Sequence, residues 1–335
     1  MASAFFEFLA SASIIVIAGT FLTRYADAIA ELTKLGRLLV GSIFLASATS
    51  LPELSVDVSA ARQGLPDLAV GDLMGSSLIN LLILGLLDLS HQAKGRMLSR
   101  QSAAHALSAT MSMVLAALAG IAIVSRIPFH VAGIGAGSIA LAVVYVLGLR
   151  IVYYDQRYSS PHPEETESAD LMPTVQETLT LPRAIIGYCI AALVIILAAP
   201  YVAESAGELA DRSGLGGTFV GTTLVALSTS LPELVTTFAA VRLGAFDLAL
   251  GNIFGSNSFN MVLLLPVDMA YSGSLLASVS PTHAVTCLSA ILITCVAVMG
   301  QLYHAEKRLR FVEPDAALII LLVLSALGLV YFLRS

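Results

Sequence analysis

Long apolar runs separated by short polar segments occupy nearly the whole chain of 335 residues. An apolar run of about 20 residues is long enough to cross the hydrocarbon core of a bilayer as an α-helix. The pattern therefore predicts an all-α integral membrane protein with ten transmembrane helices. The predicted spans are 4–26, 37–61, 66–89, 103–125, 129–152, 182–203, 216–241, 246–271, 281–301 and 314–333.

The composition agrees with a membrane protein. Hydrophobic residues make up 57% of the chain and charged residues 12%, and the mean hydropathy is +0.87. A soluble domain has about 25% charged residues, so the charges here are too few for a soluble surface. We expect the lipid bilayer as the partner of this surface, and no nucleic acid.

A polar, acidic segment at 154–181 divides the chain into two halves, 1–153 and 182–335. If the N-terminus lies outside, all Lys and Arg residues but Arg62, Arg126, Arg212 and Arg334 fall on the inner side of the membrane. Because loops rich in Lys and Arg face the cytoplasm, we predict that both termini lie outside and that the linker is cytoplasmic. The expected location is the plasma (inner) membrane.

One segment of the first half recurs in the second. When the chain is shifted by 180 residues, 41–85 aligns with 221–265 without a gap, and Thr49–Leu54 is identical to Thr229–Leu234. The extended copies are 37–90 and 217–270. Five spans separate them, and because five is odd, the copies cross the membrane in opposite directions. The chain is therefore predicted to form two five-helix inverted-topology repeats, as in secondary transporters, with the substrate site near the midplane.

Each copy places a proline and then a glutamate in the middle of a span. Pro52 and Pro232 each remove a backbone hydrogen bond and displace a carbonyl group four residues earlier. A carboxylate inside a membrane indicates a functional site by default. Glu53 and Glu233 are therefore the central candidates.

Further oxygen atoms follow at helical spacing. Carboxylate, hydroxyl, amide and carbonyl oxygens are the ligands that calcium prefers, and the absence of His and Cys from the set argues against zinc or copper. The additional candidate ligands are the hydroxyls of Thr49, Ser50, Thr229 and Ser230, the loosened carbonyls of Ala46 and Ala226, and the side chains of Ser76, Asn80, Ser256 and Asn260.

Other repeated residues receive structural interpretations. Asp67 and Asp247 begin spans and are predicted to cap helices, whereas Asp88 and Asp268 lie near span ends and are predicted to be solvated. Small residues allow helices in membranes to approach closely. This role is predicted for Gly41, Gly71, Gly75, Gly251 and Gly255.

The motifs ATSLPEL with GDLMGSSLIN, and STSLPEL with GNIFGSNSFN, resemble the two alpha-repeats of the sodium/calcium exchanger family, within the cation/calcium exchanger superfamily. The resemblance implies exchange of sodium for calcium by alternating access, in which spans 1 and 6 slide against the other helices. It implies that Glu53 and Glu233 are the central calcium ligands. It further implies mainly sodium sites at Ala46, Thr49, Ser50, Ala226, Thr229 and Ser230, completed by Ser76, Asn80, Ser256 and Asn260.

The chain departs from the usual family pattern at several positions. Asn260 stands where many relatives have aspartate, and Asp72 and Ser77 stand where relatives commonly have asparagine. Asp57 adds a carboxylate that Thr237, its counterpart in the second repeat, does not match. These departures make Asp57 and Asp72 additional candidate ligands and leave the identity and number of the ions open.

Sodium-coupled calcium export is the first functional hypothesis. A proton-coupled calcium, magnesium or manganese antiporter is the alternative, because protons also neutralise buried carboxylates. A channel is disfavoured because channels commonly arrange copies in a ring, and an intramembrane hydrolase is disfavoured because the histidines lie away from the repeated motifs. We expect no enzymatic activity and no cofactor apart from the transported ions, Ca²⁺ and Na⁺ or the alternatives above. The oligomeric state stays open.

Overall fold

The computed structural model describes residues 2–90, 105–131, 133–159, 179–213, 227, 229–302 and 314–333. These residues are mainly helical, and a small β-hairpin of two strands, each of two residues, lies between the fourth and fifth helices. The elements in chain order are α1 Ala2–Thr33, α2 Arg37–Arg62, α3 Pro66–Ser90, α4 Ala106–Ser125, β1 His130–Val131, β2 Ile134–Gly135, α5 Ala136–Ser159, α6 Leu181–Ser213, α7 Leu231–Arg242, α8 Phe246–Ala270, α9 Leu275–Ser278, α10 Thr282–Leu302 and α11 Pro314–Leu333.

Nine helices within the described ranges are long and apolar enough to cross a membrane. They confirm the predicted all-α membrane fold. The fifth span begins at Ala136 rather than at 129, because the preceding residues form the hairpin. The predicted span 216–241 falls partly outside the described residues, and α7 is its described part.

Helix α2 changes its winding before the repeated motif. Its first turn, Arg37–Leu39, passes into a π-helical segment, Val40–Leu45, and then into the α-helix Ala46–Arg62. A π-helical segment inside an α-helix is frequently found at a functional site. Pro52 lies within the α-helical part, so α2 combines two irregular features on either side of Thr49 and Ser50.

Helices α3 and α8 lie at the centre of the bundle. In their most apolar 18-residue windows, 78% and 83% of the residues are buried, compared with 22% in α5 and α11. Leu78, Ile253 and Phe254 belong to the largest cluster of buried apolar side chains. The two central helices belong to the two repeats, and the large exposed apolar side chains of the outer helices suit contact with lipid.

Glycines allow α2 and α8 to pack closely, as predicted for Gly41, Gly251 and Gly255. The prediction is wrong for Gly75, where a Cβ atom would meet no neighbouring helix within 4 Å in the described part of the chain. A Cβ atom on Gly251 would lie 2.7 Å from the carbonyl oxygen of Leu38, and one on Gly255 would lie 2.6 Å from that of Ser42. No side chain fits at these separations without displacing the backbone. The first repeat is thus held directly against the second repeat beside the site.

Helix α1 packs mainly along α6. A Cβ atom on Gly187 of α6 would collide with the ring of Tyr25 of α1. At the end of α1, Arg37 of α2 binds Asp27 at 2.5 Å and Glu31 at 2.8 Å. Helices α1 and α6 therefore form a pair, and an ion pair ties one end of α1 to α2.

The helix-cap prediction for Asp67 and Asp247 is wrong. The Asp67 carboxylate lies 3.0 Å from Nε2 of His283 and accepts a 2.7 Å hydrogen bond from the backbone N–H of Ser280. The Asp247 carboxylate lies 2.8 Å from Nε2 of His105. Each aspartate begins a helix of one repeat, and each histidine lies at the start of a helix of the other. The carboxylates therefore bind the opposite repeat instead of their own helix ends.

The predicted solvation of Asp88 and Asp268 is also wrong, because both side chains are buried. Asp268 accepts hydrogen bonds from the backbone N–H groups of Gly135 (2.8 Å) and Leu275 (2.9 Å). The hairpin and α9 thereby cover the end of α8. A prediction from span ends alone does not anticipate these two covering elements.

Candidate cation site

The two motif glutamates are buried together between the repeats. Glu53 lies in the middle of α2, and Glu233 lies in the first turn of α7. Ser50 Oγ donates a hydrogen bond to Oε1 of Glu233 (3.2 Å), and Ser230 Oγ donates to Oε1 of Glu53 (3.3 Å). Each serine therefore binds the glutamate of the opposite repeat.

Threonine and alanine of the motif lie beside this pair. The Thr49 hydroxyl is 3.1 Å from the carbonyl oxygen of Leu45 and 3.2 Å from that of Ala46, and it also contacts Glu233. Thr229 is buried next to Ser230. The predicted ligand Ala226 lies outside the described residues.

The serines of the following spans are also buried at this centre. Ser230 Oγ lies 3.2 Å from Oγ of Ser76, and the Ser76 side chain lies beside Glu53. Ser256 is fully buried, and no hydrogen-bond partner within the described ranges reaches its Oγ. An unpartnered buried hydroxyl costs free energy, which a bound cation would recover by coordination.

The Asn260 amide fits in two orientations. In one, Nδ2 donates to the carbonyl oxygen of Leu73 (3.4 Å). In the other, the amide nitrogen donates to Oε2 of Glu53, Oγ of Ser50 and the carbonyl oxygen of Ser256, each at 3.2 Å. The first orientation leaves the amide oxygen toward the carboxylates, as a cation requires, and the second suits a site without a cation.

Asn80 has a different partner from Asn260. Its Nδ2 donates to Oδ1 of Asn257 (3.0 Å), and Nδ2 of Asn257 donates to the carbonyl oxygen of Ser77 (3.3 Å). The motif pattern did not single out Asn257 as a candidate. The sequence contains a signal for it, because the shift of 180 residues aligns Asn257 with Ser77, so the two repeats differ at this position.

Asp57 and Asp72 lie one helical turn away from this centre. Their carboxyl groups are buried and lie within hydrogen-bonding distance of each other. At the corresponding place of the second repeat, Nδ2 of Asn252 donates to Oγ1 of Thr237 (2.9 Å). The structure thus brings together two carboxyl groups in one repeat and a neutral hydrogen-bonded pair in the other.

The charges at the site require a cation or protons. Four buried carboxyl groups belong to Glu53, Glu233, Asp57 and Asp72, and no ion pair within the described part of the chain involves them. Burying unpaired charges is costly. No group of three His, Cys, Asp or Glu side chains among the described residues is arranged as a metal centre, so neutral oxygens must supply the remaining ligands of any cation.

Comparisons with known proteins show the family. The sequence model of the family described as "Sodium/calcium exchanger protein" matches residues 3–154 and 183–334. Inner membrane protein YrbG of Escherichia coli (strain K12) is 31% identical over 233 residues, which cover 68% of this chain and 67% of YrbG. The chain belongs to the sodium/calcium exchanger family. Sodium/calcium exchanger MaX1 of Methanosarcina acetivorans is 48% identical over 71 residues, 21% of this chain and 20% of MaX1.

A solved structure has the same fold. The structure of the sodium-calcium exchanger NCX_Mj covers 97% of this chain and 97% of its own, with a TM-score of 0.72 and 19% sequence identity. This likeness confirms the two-repeat membrane architecture predicted from the sequence. As a member of the sodium/calcium exchanger family, the protein is a membrane transporter and not an enzyme.

Proposed function

We propose that this family member exports calcium from the cell in exchange for sodium, by alternating access. The observation that carries the proposal is that Glu53 and Glu233, one from each inverted repeat, are buried together. Each glutamate accepts a hydrogen bond from a serine of the opposite repeat. A divalent cation between them would neutralise both carboxylates. Two or three sodium ions would do the same, and competition for one set of oxygens is the physical basis of exchange.

The proposed ligands are all oxygen atoms. Calcium takes 6–8 oxygen ligands, often including carboxylates that bind through both oxygens. Besides Glu53 and Glu233, we propose hydroxyl, amide and carbonyl ligands at the mirrored positions of the two repeats. These are Ala46, Thr49, Ser50, Ser76, Asn80, Ala226, Thr229, Ser230, Ser256 and Asn260.

The packing of α1 supports a sliding movement. Helix α1 lies along α6 and also touches the site helix α7, where Thr23 Oγ1 donates to the carbonyl oxygen of Thr236 (3.2 Å). Gly19 faces Val235 in the same contact. We propose that α1 and α6 move together across the other helices and so expose Glu233 to alternate sides of the membrane.

We also propose the orientation predicted from the basic residues. Halves 1–153 and 182–335 would be joined by a cytoplasmic linker at 154–181, with both termini outside and the protein in the inner membrane. The name of the relative YrbG, an inner membrane protein, supports this location. Protease should cut the linker in inside-out vesicles and spare it in right-side-out vesicles, and the reverse result would contradict the orientation.

Uptake of ⁴⁵Ca²⁺ into proteoliposomes loaded with sodium tests the proposed exchange. The pH is clamped, and uptake is compared with and without an outward sodium gradient. We expect uptake driven by the gradient that saturates with calcium. Equal uptake in the absence of any sodium gradient would show that sodium is not the coupling ion.

A proton-coupled antiporter for calcium, magnesium or manganese is the second candidate. The buried carboxyl pair Asp57–Asp72 favours it, because carboxyl groups without other partners bind protons. Vesicles loaded with a pH-sensitive dye and free of sodium distinguish the two. Proton release on addition of a divalent cation supports the second candidate, whereas its absence supports sodium coupling.

A further inference from the structure

A pair of acidic side chains lies outside the central site, on one side only. Asp57 follows Glu53 by four residues on α2, and Asp72 precedes Ser76 by four residues on α3. Four residues are about one helical turn, or roughly 5.4 Å along the helix. Because α2 and α3 are joined by the short connection at 63–65, both displacements point toward that connection.

The oxygens of this pair lack donors. Asp57 is 1% exposed and Asp72 is 9% exposed. No hydrogen-bond donor in the described ranges reaches either carboxylate oxygen of Asp57 or Oδ2 of Asp72. One shared proton would join two of these three oxygens and leave the third unsatisfied. A metal ion binds several oxygens at once and so accounts for all of them.

The second repeat has neutral side chains at the positions that correspond to the two aspartates. Thr237 and Asn252 align with Asp57 and Asp72, and Nδ2 of Asn252 donates a 2.9 Å hydrogen bond to Oγ1 of Thr237. In this pair, Oδ1 of Asn252 is the one oxygen that no partner in the described ranges reaches. Asn252 also donates to Oγ1 of Thr236 (3.1 Å). The same backbone positions therefore hold a neutral contact in one repeat and two acids in the other. Helix packing alone does not require the acids.

We propose that Asp57 and Asp72 form an additional binding site for a hard cation, calcium or sodium, between the central site and the 63–65 connection. The two carboxylates supply up to four oxygens, and water supplies the remaining ligands. The inverted topology places Thr237 and Asn252 toward the opposite membrane face, so the additional site serves one face only. This inference rests on the proposed exchange function, because an ion here would lie next to the transported ions.

Equilibrium binding of ⁴⁵Ca²⁺ and ²²Na⁺ to the purified full chain in detergent tests the inference. The test variant combines Asp57→Thr with Asp72→Asn, residues that already pack at the mirrored place. Size-exclusion profiles and melting curves verify that the variant folds. We expect it to bind one ion fewer per chain than the wild type, in the calcium arm or in the sodium arm. An unchanged number of ions in both arms overturns the inference, and so does a variant that differs only in proton release.

A second variant separates this inference from the proposed function. Glu53→Gln with Glu233→Gln removes the central carboxylates, and we expect it to keep the ion held by the aspartate pair. If the glutamate variant binds no ion while the aspartate variant binds as many ions as the wild type, the result supports the central site and overturns the additional one. Gain of one ion by Thr237→Asp with Asn252→Asp would support the additional site independently, because the gain does not depend on a loss of folding.

Discussion

Glu53 and Glu233 occupy mirrored positions, yet their second carboxylate oxygens meet different surroundings. Asn260 can donate its amide to Oε2 of Glu53 at 3.2 Å. No hydrogen-bond partner among the described residues reaches Oε2 of Glu233. One orientation of the Asn260 amide therefore engages Glu53, whereas Oε2 of Glu233 meets no such donor and is open to a cation.

A single neighbouring residue explains the difference. Asn80 is the counterpart of Asn260, but it donates to Asn257 instead of to Glu233. The counterpart of Asn257 in the first repeat is Ser77, whose hydroxyl donates to the carbonyl oxygen of Leu73 in its own helix. Two repeats with the same ligating residues can thus bind ions unequally, because a residue beside the ligands redirects one amide.

The largest expected effect comes from removing either central carboxylate. Glu53→Gln and Glu233→Gln should each reduce calcium transport to background, because a buried charged contact contributes about 2 kcal/mol or more, which is roughly a thirtyfold change in binding. ⁴⁵Ca²⁺ uptake by proteoliposomes measures the loss. Melting curves should show that both variants fold, and normal transport by either one would falsify the assignment of the glutamates.

A smaller effect is expected when the amide of Asn80 is released. Asn257→Ser gives the second repeat the residue of the first. Because Asn80 and Glu233 mirror Asn260 and Glu53, we expect the released Asn80 amide to donate to Oε2 of Glu233. The cation must displace this hydrogen bond, which contributes about 1.5 kcal/mol, so calcium affinity should fall roughly tenfold. Calcium titration of the purified protein measures the change.

Ser258→Ala is the matched control for this substitution. Ser258 is buried on the same helix, and its hydroxyl donates to the carbonyl oxygen of Phe254 one turn earlier in its own helix. Its removal should leave calcium affinity unchanged. Equal affinities in Asn257→Ser and the control would show that Asn257 does not direct Asn80.

The fold and the central glutamates could be predicted from the sequence because they depend on strong local signals. Apolar runs of span length set the helices, and the identical run around Glu53 and Glu233 shows a repeat. The odd number of spans between the two copies then indicates that the repeat is inverted. An inverted repeat brings its mirrored positions together at the midplane. The closeness of the two glutamates therefore followed from the topology, whereas their role as ligands stays a prediction.

The partners of these residues could not be predicted in the same way. Helical spacing places Ser50 with Glu53 on one helix face, but the hydroxyl binds Glu233 across the repeat boundary. His105 and His283 do not fall at the offset that aligns the repeats, so the shifted alignment does not pair them. Such contacts depend on how helices distant in sequence are packed, and helical spacing contains no information on that packing.

The smallest expected effect concerns the two histidine–aspartate contacts that join the repeats on opposite faces. Both aspartates are more than half exposed, at 59% for Asp247 and 58% for Asp67, so solvent screens each pair to at most about 1 kcal/mol. His105→Ala and His283→Ala should each lower the melting temperature by roughly 1–2 °C, because the unfolding entropy of a chain of 335 residues is about 0.7 kcal/mol/K. Thermal unfolding of the detergent-solubilised protein measures both shifts. His130→Ala is the control, because His130 is exposed on the hairpin and its Nδ1 contacts the carbonyl of Pro128, two residues earlier in the chain. If only one of the two substitutions lowered the melting temperature, the two faces would not be held by equivalent contacts, and the asymmetry of the site would extend to the membrane surfaces.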